Sequence, residues 1–158
     1  MFEKINVNGI ELERFSNKSK EHLKLAKYLK NDLLINEFFS EWESITNLSL
    51  NDDSNTFYSY VIKDIDLIGI TTICFISDYE CAISYGLLDK FRGKGYSKLV
   101  REILINELSK LGVTTIKAYI KSNNVSSIND ILKTGLSLSE VSNSDLLVVS
   151  FPVTRSRK

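Results

Sequence analysis

One proline, two cysteines and one histidine in 158 residues exclude several kinds of protein at once. No linker, internal repeat or low-complexity stretch divides the chain, so residues 1–158 read as one domain, long enough to bury a core of its own. Cys74 and Cys81 show neither CxxC nor Cys–His spacing, which argues against a metal centre. If Ser77 and Asp78 form a two-residue hairpin turn, the two cysteines face each other across the strands. In a reducing compartment they are expected as free thiols that pack like small apolar residues. Twenty basic residues balance twenty acidic ones, so no overall field draws in nucleic acid or an anionic membrane. The longest apolar run, roughly Leu67 to Ile76, falls well short of the ~20 residues of a membrane span, and no basic-then-apolar leader opens the chain. A cytoplasmic protein with no membrane or nucleic-acid partner is expected.

What is present is periodicity. Ile10 to Phe15 alternates as an edge strand does, and Ser16 to Ser19 supplies caps for a helix with His22, Leu25, Ala26 and Leu29 on one face, ending near Asn31 and Asp32. Ile35, Phe38, Phe39, Trp42 and Ile45 then mark a second helix with one apolar stripe, read as core packing. After a polar stretch, Asn47 to Asn55, the segments Thr56–Ile62 and Leu67–Ile76 predict a hairpin about Asp64 to Asp66, and Tyr79–Leu88 adds a third strand. Leu99, Val100, Ile103, Leu104, Leu108 and Leu111 predict a helix from Tyr96 that stops at Gly112. Val113–Ile120 reads as a strand and Ser126–Thr134 as a short helix ending at Gly135. Leu136–Val141 and Leu146–Val153 read as a closing hairpin around Asn143, with Thr154 to Lys158 a frayed tail. The order is β-αα-βββ-α-β-α-ββ, an α/β arrangement of about seven strands and four helices.

Between the third strand of the meander and its helix stands Lys90-Phe91-Arg92-Gly93-Lys94-Gly95-Tyr96-Ser97. Glycines there let the backbone come close to a ligand, and the first free N–H groups of the new helix attract negative charge. Lys90, Arg92, Lys94 and Lys98 add a local positive patch, which Lys117 and Lys121 extend. A phosphate is the guest such a turn suits. A P-loop or dinucleotide fingerprint does not fit, because neither spacing is met.

Further along, the chain reads Asn-Val-Ser-Ser-Ile-Asn-Asp-Ile-Leu-Lys-Thr-Gly-Leu from Asn124. Together the two motifs resemble the acetyl-CoA-binding core of the GNAT superfamily of N-acetyltransferases, over Ile83 to Leu136. Arg92, Gly93, Lys94, Gly95 and Tyr96 meet its (Q/R)xxGx(G/A) signature, with Ser97 where Gly or Ala is usual. Asn124, Ser127, Ile128, Lys133, Gly135 and Leu136 fit the NxxSIxxxxKxGF pattern of the ribosomal-protein N-terminal acetyltransferase branch, with Leu136 for the aromatic.

The resemblance implies a GNAT fold with a mixed, mostly antiparallel central sheet, and a single acetyltransferase domain. It implies that backbone groups of Tyr85, Gly86 and Leu87 pair with the pantetheine arm, an N–H near Leu87 polarises the thioester carbonyl, amides from Gly93 to Lys98 cradle the pyrophosphate, and Asn124 hydrogen-bonds the pantetheine from the far side. The two helices after the first strand would border the acceptor site, and the last hairpin often mediates homodimers.

Acetyl transfer also needs somewhere for the thiolate's charge to go and a neutral amine. Many relatives carry a tyrosine seven residues after the asparagine; here Ile131 stands there and has no proton to give. Ser127 is the candidate beside the thiolate. Tyr119 and Glu80 fall near the family's positions for a base, with Glu41, Glu43 and His22 more remote. With a weak base the acceptor's own pKa matters: at pH 7 an α-amine of pKa ~7.8 is roughly 10% neutral, and a lysine of ~10.4 below ~0.1%. An α-amine acceptor is therefore favoured. The alternative is a GNAT-fold module that binds CoA or an acyl-CoA without efficient catalysis.

Overall fold

The computed structural model describes residues 1–30 and 57–153. The stripe of Ile35 to Ile45, with Trp42, and the carboxylates of Glu41 and Glu43 lie outside them, as do the Asn47–Asn55 stretch and the tail.

Eight strands form one sheet: β1 (Lys4–Val7), β2 (Ile10–Arg14), β3 (Phe57–Asp64), β4 (Asp66–Phe75), β5 (Glu80–Leu87), β6 (Thr115–Lys121), β7 (Ser139–Glu140) and β8 (Leu146–Phe151). Their order is β1-β2-β3-β4-β5-β6-β8-β7. Three described helices accompany them, α1 (Lys20–Lys30), α2 (Tyr96–Lys110) and α3 (Val125–Lys133). Every neighbouring pair is antiparallel except β5 with β6, where α2 makes the crossover that a parallel pair requires. None of the described helices is long and apolar enough to cross a membrane.

The sheet is buried on both faces because its central strands carry apolar residues at successive positions rather than alternate ones. One face presents Ile62, Ile73, Cys81, Ile83 and Leu87 to Val100, Ile103, Leu104 and Leu108 of α2 and Ile131 of α3. The other presents Val61 and Ile70 to Leu25, Ala26 and Leu29 of α1.

Strand β1 was not foreseen. Asn8 and Gly9 both have positive φ, 53° and 87°, which is the two-residue turn that Asn-Gly favours, and it pairs Val7 with Ile10. The closing hairpin is shorter than expected, with β7 only two residues long. The cysteines do not face each other. Ile76 pairs with Glu80, so the loop holds three residues, Ser77 to Tyr79, and Cys81 lies opposite Phe75 and Cys74 opposite Ala82. A one-residue slip sends side chains to opposite faces, and Cys81 is buried while Cys74 is exposed, with no disulfide joining them. In α2 the inner face is Val100, Arg101, Ile103, Leu104 and Leu108, whereas Leu99 and Leu111 are 44% and 53% exposed.

His22 is a structural residue. Its Nδ1 accepts the Ser16 N–H at 3.0 Å and its Nε2 lies 2.9 Å from Glu13 Oε1, so both ring nitrogens are engaged in tying α1 to β2. That leaves no lone pair for an acceptor amine.

Candidate active site

The parallel ladder between β5 and β6 is short. It pairs Glu80 with Thr115, Cys81 with Ile116 and Ala82 with Lys117, and stops there. Beyond it the two strands diverge, and a cleft of about 640 Å³ opens, lined among others by Ile83, Tyr85 and Leu87 on one side and Ala118, Tyr119 and Ile120 on the other.

The phase of the β4–β5 ladder decides which amides face that cleft. Ile76 N–H donates to Glu80 O at 2.9 Å and Leu88 N–H to Ile68 O at 2.8 Å. In an antiparallel pair such bonds recur at every second residue, so the main-chain groups of Ser84 and Gly86 turn toward β4. Those of Ile83, Tyr85 and Leu87 turn toward the cleft. Gly86 thus offers no edge group, a correction to the expected trio. On β4, Gly69 stands opposite Leu87, and its missing side chain allows the strands' approach: a Cβ there would stand 2.2 Å from Gly86 O.

Leu88 is followed by a 3₁₀ turn, Asp89–Phe91, and then by the two glycines. Gly93 and Gly95 have φ of 73° and 86°, a region that costs other residues dearly, and a Cβ at either would meet nothing within 4 Å. Conformation, not crowding, requires glycine at both. Gly95 is the N-cap of α2 and supplies no capping side chain, so the first N–H groups of the helix are open to an anion. Gly93, Gly95, Tyr96, Ser97 and Lys98 all line the cleft.

Arg92 braces the turn. Its Nε donates to Leu87 O at 3.1 Å and its Nη1 to Asp89 Oδ1 at 3.2 Å. Neither Arg92 nor Lys94 is among the residues that line the cleft; Lys90 and Lys94 sit over the Phe91 ring at 5.1 and 5.9 Å. The Tyr96 hydroxyl donates to Asp64 Oδ2 at 2.7 Å and ties the start of α2 to the β3–β4 turn. The positive patch is smaller than expected, since Lys117 pairs with Glu80 at 3.4 Å and Lys121 with Asp145 at 3.8 Å.

On the far wall, Asn124 is 4% exposed and caps α3, its Oδ1 accepting the Ser127 N–H at 3.3 Å. Its amide NH₂ is what it has left to offer a ligand. Asn124, Ser127 and Tyr119 line the cleft, and Ile131 lines it too while packing into the core. Glu80 does not line it: it stands at the closed end of the ladder, bound to Lys117.

Four residues went unnoticed in the sequence. Gly69 leaves no trace beyond an interrupted apolar run. Thr72 and Ser84 hydrogen-bond through their hydroxyls on the sheet face that carries α1. Arg101, 7% exposed, lies on the inner face of α2 and lines the cleft. Its spacing of i+3, i+4 and i+7 to Leu104, Ile105 and Leu108 was the available signal.

A divergent parallel pair, an edge of unpaired amides and an uncapped helix start behind two left-handed glycines define a protein that takes an extended ligand ending in phosphate. The chain belongs to the acetyltransferase (GNAT) domain family, which matches residues 15–137, and it is an acyltransferase of that family. Comparison with curated proteins gave no match. Among solved structures, the N-acetyltransferase PseH of Campylobacter jejuni, in complex with acetyl coenzyme A, is 18% identical, with a TM-score of 0.66 over 92% of this chain and 99% of that one. The Salmonella typhimurium acetyltransferase that modifies the N-terminal serine of ribosomal protein L7/L12 is 15% identical, with a TM-score of 0.73 over 94% and 97%. Spermidine N-acetyltransferase from Vibrio cholerae, with CoA and spermine, gives 15% and 0.73 over 94% and 98%. At these identities the likeness is one of fold.

Proposed function

We propose that the protein transfers an acetyl group from acetyl-CoA to a primary amine by direct attack in a ternary complex. The observation that carries this reading is the unpaired β5 edge opening beside the Gly93–Gly95 turn. The diphosphate binds the amides of Tyr96, Ser97 and Lys98 at the start of α2. The pantetheine arm runs inward along β5 like an added strand, bonded to the Tyr85 and Leu87 main chain, with the Asn124 amide on its other side. Because the arm enters at the turn, the Tyr85 N–H lies deeper than that of Leu87 and is the better placed to polarise the thioester carbonyl.

The acceptor meets the thioester from the α1 face, where Ser84, Thr72 and Tyr119 stand. Glu80 is a poor base, being paired with Lys117 and set at the closed end. The amine therefore supplies its own neutral fraction, which favours acceptors of low pKa such as a protein or peptide N-terminus. Ser127, at the start of α3, is placed to donate to a ligand in the cleft.

Titration with CoA in a calorimeter, followed by thiol release from acetyl-CoA with a panel of amines, tests the reading. Binding with turnover on peptides bearing a free N-terminus is expected. Absence of CoA binding at millimolar concentration would refute it; preference for blocked, lysine-bearing peptides would refute the acceptor class alone.

A further inference from the structure

Arg101 brings a positive charge into the cleft that the grip on the diphosphate does not use. It is 7% exposed, lines the cleft, and makes no ion pair among the described residues. Its guanidinium stands 5.1 Å from the centre of the Phe151 ring, and the Tyr85 hydroxyl is its polar neighbour. A cation withdrawn from water without a counter-ion is unfavourable until an anion arrives.

The position says which anion. Tyr85 lies two residues inward from the end of β5, about 7 Å at the rise of a strand. Arg101 lies five residues into α2, about 7.5 Å at the rise of a helix, and α2 runs back antiparallel to β5. Both groups therefore stand at one depth, inward of the diphosphate turn. At the same end of the cleft Ile131 is 2% exposed and has no proton to give.

We propose that Arg101 and the Tyr85 hydroxyl form the seat of the departing sulfur, so that CoA leaves as a thiolate paired with the guanidinium and hydrogen-bonded by the phenol. This rests on the cofactor reading above. The amine lone pair attacks the thioester carbon, the N–C bond forms, the C–S bond breaks, and its electron pair stays on sulfur. The proton of the new ammonium passes to solvent on the acceptor side, and the thiolate takes a proton from water after it leaves Arg101. Tyr85 keeps its own proton. Burial raises its pKa above the usual tyrosine value, whereas a free thiol titrates near ~8.5, so a phenol does not surrender its proton to a thiolate here.

The test needs no acceptor. CoA and desulfo-CoA are titrated into the protein by calorimetry between about pH 6.5 and 9.5, a range that spans thiol ionisation. Other titratable or charged groups face this region: Tyr119 from β6, Asp130 and Lys133 from α3, Tyr96, Lys98 and Glu102 from α2, and, among the described residues, the uncharged Phe151 and Pro152 from the β8 side. Their titration affects both ligands alike, so the ratio of the two affinities isolates the sulfur. The expected result is a ratio that rises in favour of CoA by about tenfold or more across the range, one pKa unit being tenfold. Arg101→Met should flatten the rise, Arg101→Lys should keep most of it, and Tyr85→Phe should reduce it. A flat ratio in the wild type, or an undiminished rise in Arg101→Met, overturns the inference while leaving the cofactor reading intact. Binding of neither ligand overturns both. Should Arg101→Met fail to fold, the wild-type slope and the lysine variant still decide.

Discussion

Replacing Gly69 by alanine tests how closely β4 and β5 must approach to form the wall of the cleft. The new Cβ would lie 2.2 Å from Gly86 O and 3.0 Å from Leu87 Cα. Ordinary carbon–oxygen contacts begin near ~3.3 Å, so β5 must retreat by roughly 1 Å at Gly86. Both obstacles are backbone, so no rotamer change relieves them. Overpacking of this kind costs about 1–3 kcal/mol, and stretching one ladder bond adds about 1 kcal/mol. A total near 3 kcal/mol should lower the urea midpoint by about 1–2 M, taking a slope of ~2 kcal/mol/M, and the melting temperature by about 6–12 °C. CoA affinity should fall as well, because the displaced residues carry the edge amides. Urea unfolding followed by circular dichroism, with calorimetry for CoA, measures both. A variant within ~0.5 kcal/mol of wild type with unchanged affinity would show that the strand spacing does not matter as argued.

Four further outcomes are expected. Gly93→Ala and Gly95→Ala should each lose about 1 kcal/mol from the left-handed backbone alone, with a larger relative loss of CoA affinity, measured by melting and calorimetry. Asn124→Asp should keep the α3 cap and most of the stability while weakening CoA binding through the lost NH₂ donor, whereas Asn124→Ala should lose about 1 kcal/mol besides; equal CoA affinity in Asn124→Asp and wild type would refute a role for that donor. Burial pushes the Cys81 thiol and the Tyr60 phenol each up to about 12. Both groups hold their protons more tightly folded than unfolded, so stability is complete below about pH 8.5 and falls as the pH rises toward 12; urea midpoints against pH should show the decline, and Cys81→Ala should soften it. His22→Gln should lower stability without altering the pH profile of turnover, since both ring nitrogens hold α1 to β2; a lost acidic limb in that profile would restore it as a catalytic base.

The sequence was informative where local chemistry and tertiary role coincide. Gly93, Gly95 and the Asn124 cap are each required by backbone geometry, and the same geometry makes the ligand cleft, so they could be read in advance. The apolar period placed α1, α2 and the meander for the same reason. Asn8-Gly9 was equally strong hairpin chemistry and went unread because Lys4 to Val7 is too short and polar to stand out. The cysteine pairing failed on one residue of turn length, which periodicity does not encode. Gly86 was assigned to the edge because sequence carries no ladder phase. Glu80 looked available as a base, but Lys117 reaches it only through the parallel register of β5 and β6. Arg101 was hidden because a long cation on an apolar stripe reads as a helix-surface residue until the partner strand is known.

The junction of β5 and β6 is a seam only three rungs long, and it joins two antiparallel halves, one of five strands and one of three. Each half is laced internally by its own hairpins, yet between them the sheet is unzipped for most of its height. A strand-like guest in the gap would act as a rivet, adding rungs to both sides at once. Amide hydrogen exchange at Tyr85, Leu87 and the last residues of β6 should therefore slow on filling, while that of β1 and β2 stays as it was.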